Sequence, residues 1–485
     1  MTDPCDLPAV DARRLIGTKR LSPVELVESC IGRVDAVDHA VNAIVARDFD
    51  RARAAARAAE QAVMRGDPLG KLHGLPFGVK DLEETAGLRT TFGSPLFRDH
   101  VPAEDERSVA SLRAAGGILL GKTNTPEFGA GANTRNAVYG ATGNPFDPTR
   151  SCAGSSGGSA VALATGMVPL ATGSDLGGSL RNPAAFCGIV GFRPSPGVVP
   201  SERHGMGWSP LSVNGPMARS VADLALMLSA MASDDARDPL APRQVDTYFP
   251  LRAVDPSALR VAFTPDFGFA PVERGVRDTF AAVTATLRPL FAASADATPD
   301  CTGADTAFAV LRAVGALAAH AEKVRSHPDL VGPNVHANVA EGLRYSAADV
   351  AQAELAHTAL YRRWQQFFKQ VDLIITPAIT ITPRPWRELF PAEIDGVPTR
   401  SYYHWLALAY AVTLAGHPAV CIPAGLDAAG MPFGLQIVGP RGGDAFVLAA
   451  AAALQAVLPQ RPVPELAQLR AAQPIRLMEG FLGFG

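Results

Sequence analysis

Apolar positions return every three or four residues along ELVESCIGRVDAV, directly after Ser22-Pro23-Val24-Glu25, and this spacing predicts a helix opened by a capping box with proline in its first turn. The Ala- and Arg-rich stretch from Asp50 to Met64 predicts a second helix. In LHGLPFGVKD the pattern changes. A short apolar run broken by Gly and Pro predicts a strand arriving at a loop, with Lys80 and Asp81 at its end. That is where reactive groups of α/β sheets stand. Asp105 to Ala115 is helix-like, and Gly117-Ile118-Leu119-Leu120-Gly121 reads as a buried strand. The alternation predicts an α/β fold with a parallel or mixed sheet covered by helices.

From Asn144 to Pro194 the chain is rich in Gly, Ser and Pro, yet it holds an apolar helix candidate, SAVALATGM, and an apolar strand candidate, VPLATG. It is too apolar for a linker. Ser220 caps a further helix, VADLALMLSAM, and an exposed connector follows from Asp234. Leu259 to Phe263, Asp372 to Thr376, Gly416 to Pro423 and Phe433 to Val438 read as strands, the last two joined by a turn at Gly430. The apolar run from Val447 to Leu458 is too short to span a bilayer and predicts a buried helix. No repeat or low-complexity tract interrupts the chain.

The 485 residues are 47% hydrophobic and 19% charged, a globular composition with room for a deep site. A net charge of −3 offers no basic field, so neither nucleic acid nor an anionic membrane is expected as a partner. The six cysteines have no CxxC pair or regular spacing, which argues for free thiols in a reducing compartment and against a metal site. The opening MTDPCDLPAVDARR lacks a basic stretch followed by an apolar one, so a cytoplasmic location is expected.

Three elements could carry chemistry: Lys80, the loop Ala153-Gly154-Ser155-Ser156-Gly157-Gly158-Ser159, and Ser174-Asp175-Leu176-Gly177-Gly178-Ser179-Leu180-Arg181. No Lys follows the glycines as a P-loop requires. Gly154 to Gly158 satisfies G-x-S-x-G with Ser156 at the centre, but the residues before it are polar and broken by proline, so the strand that feeds a nucleophile elbow is missing. A serine without histidine can be served by a lysine that burial holds neutral. Lys80, among Leu75, Pro76, Phe77 and Val79, suits that role; pairing with Asp81 at a surface is the plainer alternative. Gly177 and Gly178 could turn consecutive backbone N–H groups toward one point, as an oxyanion hole needs, or could form an ordinary tight turn.

Together these elements resemble the amidase signature family. AGSSGGSAVALATGMVPLATGSDLGGSLRNPAAFCGIVGF, from Ala153 to Phe192, is similar to its signature block, and Ser155 and Ser179 are 24 residues apart as in the family. Agreement extends to LHGLPFGVKD, NPFDPTRS, NGPMARSVADLALML, GHPAVCIPAG and GMPFGLQIVGP, and is weakest from Asp234 to Gln370. The resemblance implies one amidase domain over residues 1–485, with a central twisted mixed β-sheet covered on both sides by α-helices. Its signature core would cover about 70–230 and a variable substrate-facing segment about 234–370, the C-terminal part completing the sheet.

It also implies a Ser-Ser-Lys triad without metal or cofactor. Ser179 would be the nucleophile, Ser155 the relay behind a cis peptide bond, and Lys80 the neutral base. The N–H groups of Leu176, Gly177, Gly178 and Ser179 would hold the oxyanion, and Ser156, Asp175 and Arg181 would support the loops. Ala153, Ser174 and the run Arg193-Pro194-Ser195 depart from the usual Gly, Thr and Lys-Pro-Thr. A small-molecule aliphatic or aryl carboxamide is the expected substrate, and a homodimer the expected assembly. The rivals are the glutaminase component of a tRNA-dependent amidotransferase, a carbamate or ester hydrolase of the same family, and a silent binding protein. HPDLVGPNVHANVAEGLRYSAADV lacks the Arg-rich character of such glutaminases, and a binding protein would have lost a member of the triad. Trp208, Tyr402, Tyr403, Trp405 and Phe97 are candidates for pocket walls.

Overall fold

The computed structural model describes residues 3–475, and the two ends of the expected 1–485 unit lie outside them. One eleven-stranded sheet runs in the order Ile44–Arg47, Ile118–Thr123, Pro76–Lys80, Leu170–Asp175, Val213–Ala218, Val190–Arg193, Ala419–Leu426, Pro432–Val438, Leu373–Pro377, Arg260–Phe263 and Ala293–Asp296. Pro76–Lys80 pairs in parallel with both its neighbours, as does Arg260–Phe263, while the other pairs are antiparallel. The sheet is therefore mixed, as expected, and helices flank it.

Local signals gave most of the elements before the connector. Helix Pro23–Val41 opens with both halves of the Ser22/Glu25 capping box formed. Phe49–Arg65, Arg107–Ala114 and Gly157–Ala164 are helical close to where the patterns put them. Ser220 Oγ accepts the Asp223 N–H at the start of Val221–Met231. Asp444–Gln455 is the mostly buried apolar helix near the C-terminal end. Among the described residues no helix is long and apolar enough to cross a membrane.

Two central strands, Val190–Arg193 and Val213–Ala218, went unread, the second because VNGPMA looks like a loop. Gly215 explains the composition: a Cβ there would lie 2.5 Å from the Phe192 carbonyl oxygen, so neighbouring strands demand a bare backbone. Beyond the connector, Pro333–Arg344 and Ala347–Phe367 pack on the long helix Ala304–Ser326.

A buried histidine ties the last of these helices to the sheet. His417 lies against Trp364 and Phe368, ring centroids 5.6 and 4.6 Å away. Its Nδ1–H donates to the Gly439 carbonyl at 2.8 Å, and Nε2 accepts from Gln365 at 3.1 Å. Burial pushes its pKa down to about 4, and His320, half-buried against Phe128 and near Lys323, is pushed the same way to about 4. The unfolded chain binds these protons near pH 6.5 and the folded chain only near 4. Stability is therefore full above about pH 6.5 and falls as the pH drops toward 4, by about 2 kcal/mol at pH 5 for His417 alone. Urea unfolding at pH 7 and pH 5 checks this, and His417→Gln should flatten the dependence.

Candidate active site

Lys80 closes a strand whose five residues are all buried, and its own side chain is 0% exposed. Its backbone N–H donates to Thr172 Oγ1 at 3.0 Å, which ties the strand end to its neighbour. Nζ meets three hydroxyls: Ser155 Oγ at 2.7 Å, Ser156 Oγ at 2.9 Å and Ser174 Oγ at 2.9 Å. Burial pushes the Lys80 pKa from 10.5 down to about 7, against the opposing pull of Glu83 and Asp175. The amine is thus substantially neutral at physiological pH, and the surface pairing with Asp81 does not form. Asp81 instead accepts from the Thr91 hydroxyl at 2.6 Å.

The serine loop approaches this lysine through an unusual backbone. Ala153, where the family usually has Gly, sits at φ 58°, a left-handed conformation that a side chain disfavours by about 1 kcal/mol. The Gly154–Ser155 peptide bond is cis. Helix Gly157–Ala164 begins just beyond, and a Cβ on Gly158 would lie 2.2 Å from the Asn124 backbone nitrogen, so only glycine lets the helix come this close.

Hydrogen-bond arithmetic then restricts the protons. A neutral amine has two N–H donors and one lone pair, so with three hydroxyl neighbours one contact must run from oxygen to nitrogen. Ser156 Oγ already donates to the Ser174 carbonyl at 3.3 Å. Ser155 and Ser174 remain able to donate to the lone pair, Ser155 at the shorter distance.

The third element is a turn built around one carboxylate. Arg181 grips Asp175 in bidentate fashion, Nη2 to Oδ1 at 2.8 Å and Nε to Oδ2 at 3.0 Å, and Arg193 Nη1 donates to the Asp175 carbonyl at 2.6 Å. Burial alone would push this carboxyl up; the Arg181 and Arg193 guanidiniums overturn that and hold it far below the usual carboxylate range. Burial in turn lowers Arg193 to about 10. Asp175 and Arg181 thus form the structural contact expected of them.

Asp175 also corrects one expectation. The Gly178 N–H donates to Asp175 Oδ1 at 3.0 Å, so in this structure it faces the carboxylate and not an oxyanion. The N–H groups of Leu176, Gly177 and Ser179 are free of that commitment. Gly178 has φ 103°, and a Cβ there would lie 2.5 Å from Ala409 Cβ, so glycine serves the turn itself. Ser179 is half-buried, whereas Ser155 is 3% exposed. Ser156 is fully buried, and Lys80 and the Ser174 carbonyl occupy its hydroxyl, which removes the nucleophile-elbow alternative.

Ser174 is the site residue that sequence reasoning missed as a partner of Lys80. It appeared only as a departure from Thr, and the strand register that brings it to Nζ leaves no local trace. The pocket candidates scatter. Trp208 is 80% exposed. Phe97 packs with Phe92 and Phe128 in an aromatic group, and a Cβ on Gly129, next to Phe128, would lie 3.4 Å from Ser155 Oγ. Trp405 is buried, its Nε1 bound to the Tyr402 carbonyl at 2.8 Å. Tyr403 meets Phe308 at 5.8 Å between centroids, and Phe308 reaches the glycine turn: its ring would stand 3.4 Å from a Cβ on Gly177, with Leu406 at 3.6 Å.

The model of the Amidase family matches residues 25–448. An acylamidase of Rhodococcus erythropolis is 36% identical over 459 residues, covering 93% of this chain and 96% of that protein. The A component of the glutamyl-tRNA(Gln) amidotransferase of Anaeromyxobacter dehalogenans is 34% identical over 491 residues, covering 95% of this chain and 98% of that protein. The crystal structure of a bacterial aryl acylamidase of the amidase signature family superposes with a TM-score of 0.88 at 28% identity, covering 97% of this chain and 99% of that one.

Proposed function

We propose, on the premise that this chain belongs to the amidase signature family and hydrolyses amide bonds, that Ser179 carries the reaction through an acyl-enzyme on carboxamides with an apolar acyl group. The observation that carries this reading is the fully buried Lys80 amine among three hydroxyls, with Ser179 half-buried on the neighbouring turn. The neutral amine takes the Ser155 proton, and Ser155 takes the Ser179 proton as Ser179 Oγ attacks the carbonyl. The link between the two serines tightens in the substrate complex, as catalytic hydrogen bonds commonly do. The Leu176, Gly177 and Ser179 amides hold the oxyanion. The leaving amine recovers its proton through Ser155, and water, deprotonated along the same route, releases the acid.

Phe308 and Leu406 beside Gly177 favour an acylamidase or aryl-acylamidase substrate over free glutamine. Glutamine brings an ammonium and a carboxylate that need charged partners, and the nearby Arg312 is already engaged by Glu341, Asn338 and Tyr402. A carbamate or ester presents the same carbonyl to the same nucleophile and remains a side activity. The chain acts as one catalytic unit in the cytoplasm, and as a homodimer.

The test is a panel of short aliphatic amides, aryl amides, anilides, carbamates and glutamine. Anilides or aryl amides are expected to give kcat/KM at least about tenfold above glutamine, the scale on which one apolar contact discriminates. Glutamine as the best substrate would sink the apolar reading.

A further inference from the structure

Beneath Lys80 lies a group of buried ionisable side chains that the proposed reaction does not use. Val79 pairs with Lys122 and Lys80 with Thr123 in parallel register, so alternation puts Lys122 on the face of the sheet opposite the Lys80 side chain. The chain turns directly after this strand. The Glu83 N–H donates to the Lys80 carbonyl at 3.0 Å, and the Glu83 side chain folds back into the interior with 2% exposure. Ser108 Oγ donates to Glu83 Oε2, while Oε1 takes no hydrogen bond from a described residue. Thr172, whose hydroxyl oxygen accepts the Lys80 N–H, lies beside this carboxyl.

The surroundings hold the charges in balance. Lys122 Nζ donates to the Glu83 carbonyl and to Thr85 Oγ1, the latter at 2.9 Å. Burial lowers Lys122 to about 8, so it is still an ammonium at neutral pH. Glu106, which accepts from Asn214 Nδ2 at 3.2 Å, is raised to about 8 by burial and by the neighbouring Glu83 and Glu202. Asp81 and Asp105 complete the group of acids near Lys122, and Asp175 joins Glu83 in favouring the charged form of Lys80. Burial raises the Glu83 carboxyl as well, while the Ser108 hydroxyl, Thr172 and the Lys122 and Lys80 amines favour its ionised form, and Glu83 is the acid turned back beneath the strand. A buried cluster of this kind costs stability, so its retention next to the base calls for a role.

We propose that Glu83 is a positioning residue for amide hydrolysis: its buried carboxylate, folded under the strand that carries Lys80, sets the charge state of that lysine and so the pH at which the enzyme turns on. The inference rests on the reading of Lys80 as base. Removing the carboxylate takes away a nearby charge that favours the ammonium, so the base becomes available at lower pH.

The experiment is the pH profile of kcat/KM, on the best amide of the panel, for wild type, Glu83→Gln, Ser108→Ala and Lys80→Ala. The rising limb should move to lower pH by about half a unit to one unit in Glu83→Gln, with KM within about twofold. Ser108→Ala should move it the same way by less, because Glu83 loses a hydroxyl that favours its ionised form. A limb that stays in place in Glu83→Gln, or a uniform fall in kcat without movement, overturns the proposal. If Glu83→Gln fails to fold, Ser108→Ala decides by the same criterion. Wild-type activity in Lys80→Ala would sink the base reading instead, a result distinct from an unmoved limb.

Discussion

Ser179→Ala is expected to lower kcat for amide hydrolysis by about 10⁵-fold or more while leaving KM within a few-fold, as loss of an activated serine does elsewhere. The direction follows from position. Ser179 is half-buried, on a turn whose backbone is held by Asp175, Arg181 and Arg193 and not by its own side chain. Removing its hydroxyl should leave that turn, and with it substrate binding, intact. Steady-state kinetics with a fluorogenic or chromogenic anilide, beside an unfolding midpoint within about 1 kcal/mol of wild type, separates lost chemistry from lost fold. Ser156→Ala gives a different expected result. Ser156 sits between Lys80 and the Ser174 carbonyl, so its loss should reduce activity without abolishing it.

Lys80→Ala is expected to cost about 10³- to 10⁴-fold in kcat, the upper range for a general acid–base group. It should also remove the rising limb of the pH profile. In wild type, kcat/KM should climb through about pH 7 as the ammonium gives up its proton. The sign follows from burial: a desolvated lysine is held in its neutral form down to lower pH, and it is the neutral form that accepts the Ser155 proton. Lys80→Arg should be as inactive as Lys80→Ala, because a guanidinium cannot lose its proton in this range. A limb near pH 10 in wild type would mean that Lys80 is solvated when the enzyme works.

These expectations draw on residues of very different legibility. Lys80 was readable because a lysine is conspicuous inside GLPFGVKD, whereas the glycine loops around Ser155 and Ser179 left several uses open and only the resemblance of the whole block to the amidase signature singled out those two serines. The helices from Pro23 to Ala114 were readable from caps and periodicity, signals that live within a few residues. Ser174 was not, since its role depends on which strand lies beside Pro76–Lys80. The commitment of the Gly178 amide to Asp175 was not either, because four consecutive amides look equivalent until a carboxylate selects among them. Glu83 gave no signal at all: it follows the strand by three residues, where a carboxylate is ordinary on a surface and unusual only once burial is known.

The same contrast holds for the fold. Strands Arg260–Phe263 and Leu373–Pro377 were visible as apolar runs, but their parallel pairing with each other spans more than a hundred mostly helical residues, a separation that no local pattern encodes. The mostly exposed edge strand Ala293–Asp296, with its small and polar residues, was invisible for the opposite reason. Ala304–Ser326 was missed because its alanines blur the apolar stripe, even though Phe308 on that helix reaches the turn at Gly177.

The central claim is that Ser179 is acylated, and peptide mass mapping tests it most directly. Wild type and Ser179→Ala would each be mixed with an aryl carbamate, whose carbamoyl-enzyme hydrolyses slowly, then quenched and digested. The account predicts one added carbamoyl group, on the peptide that carries Ser179, and none in Ser179→Ala. A group found on the peptide of Ser155 and Ser156, or still present in Ser179→Ala, would contradict it.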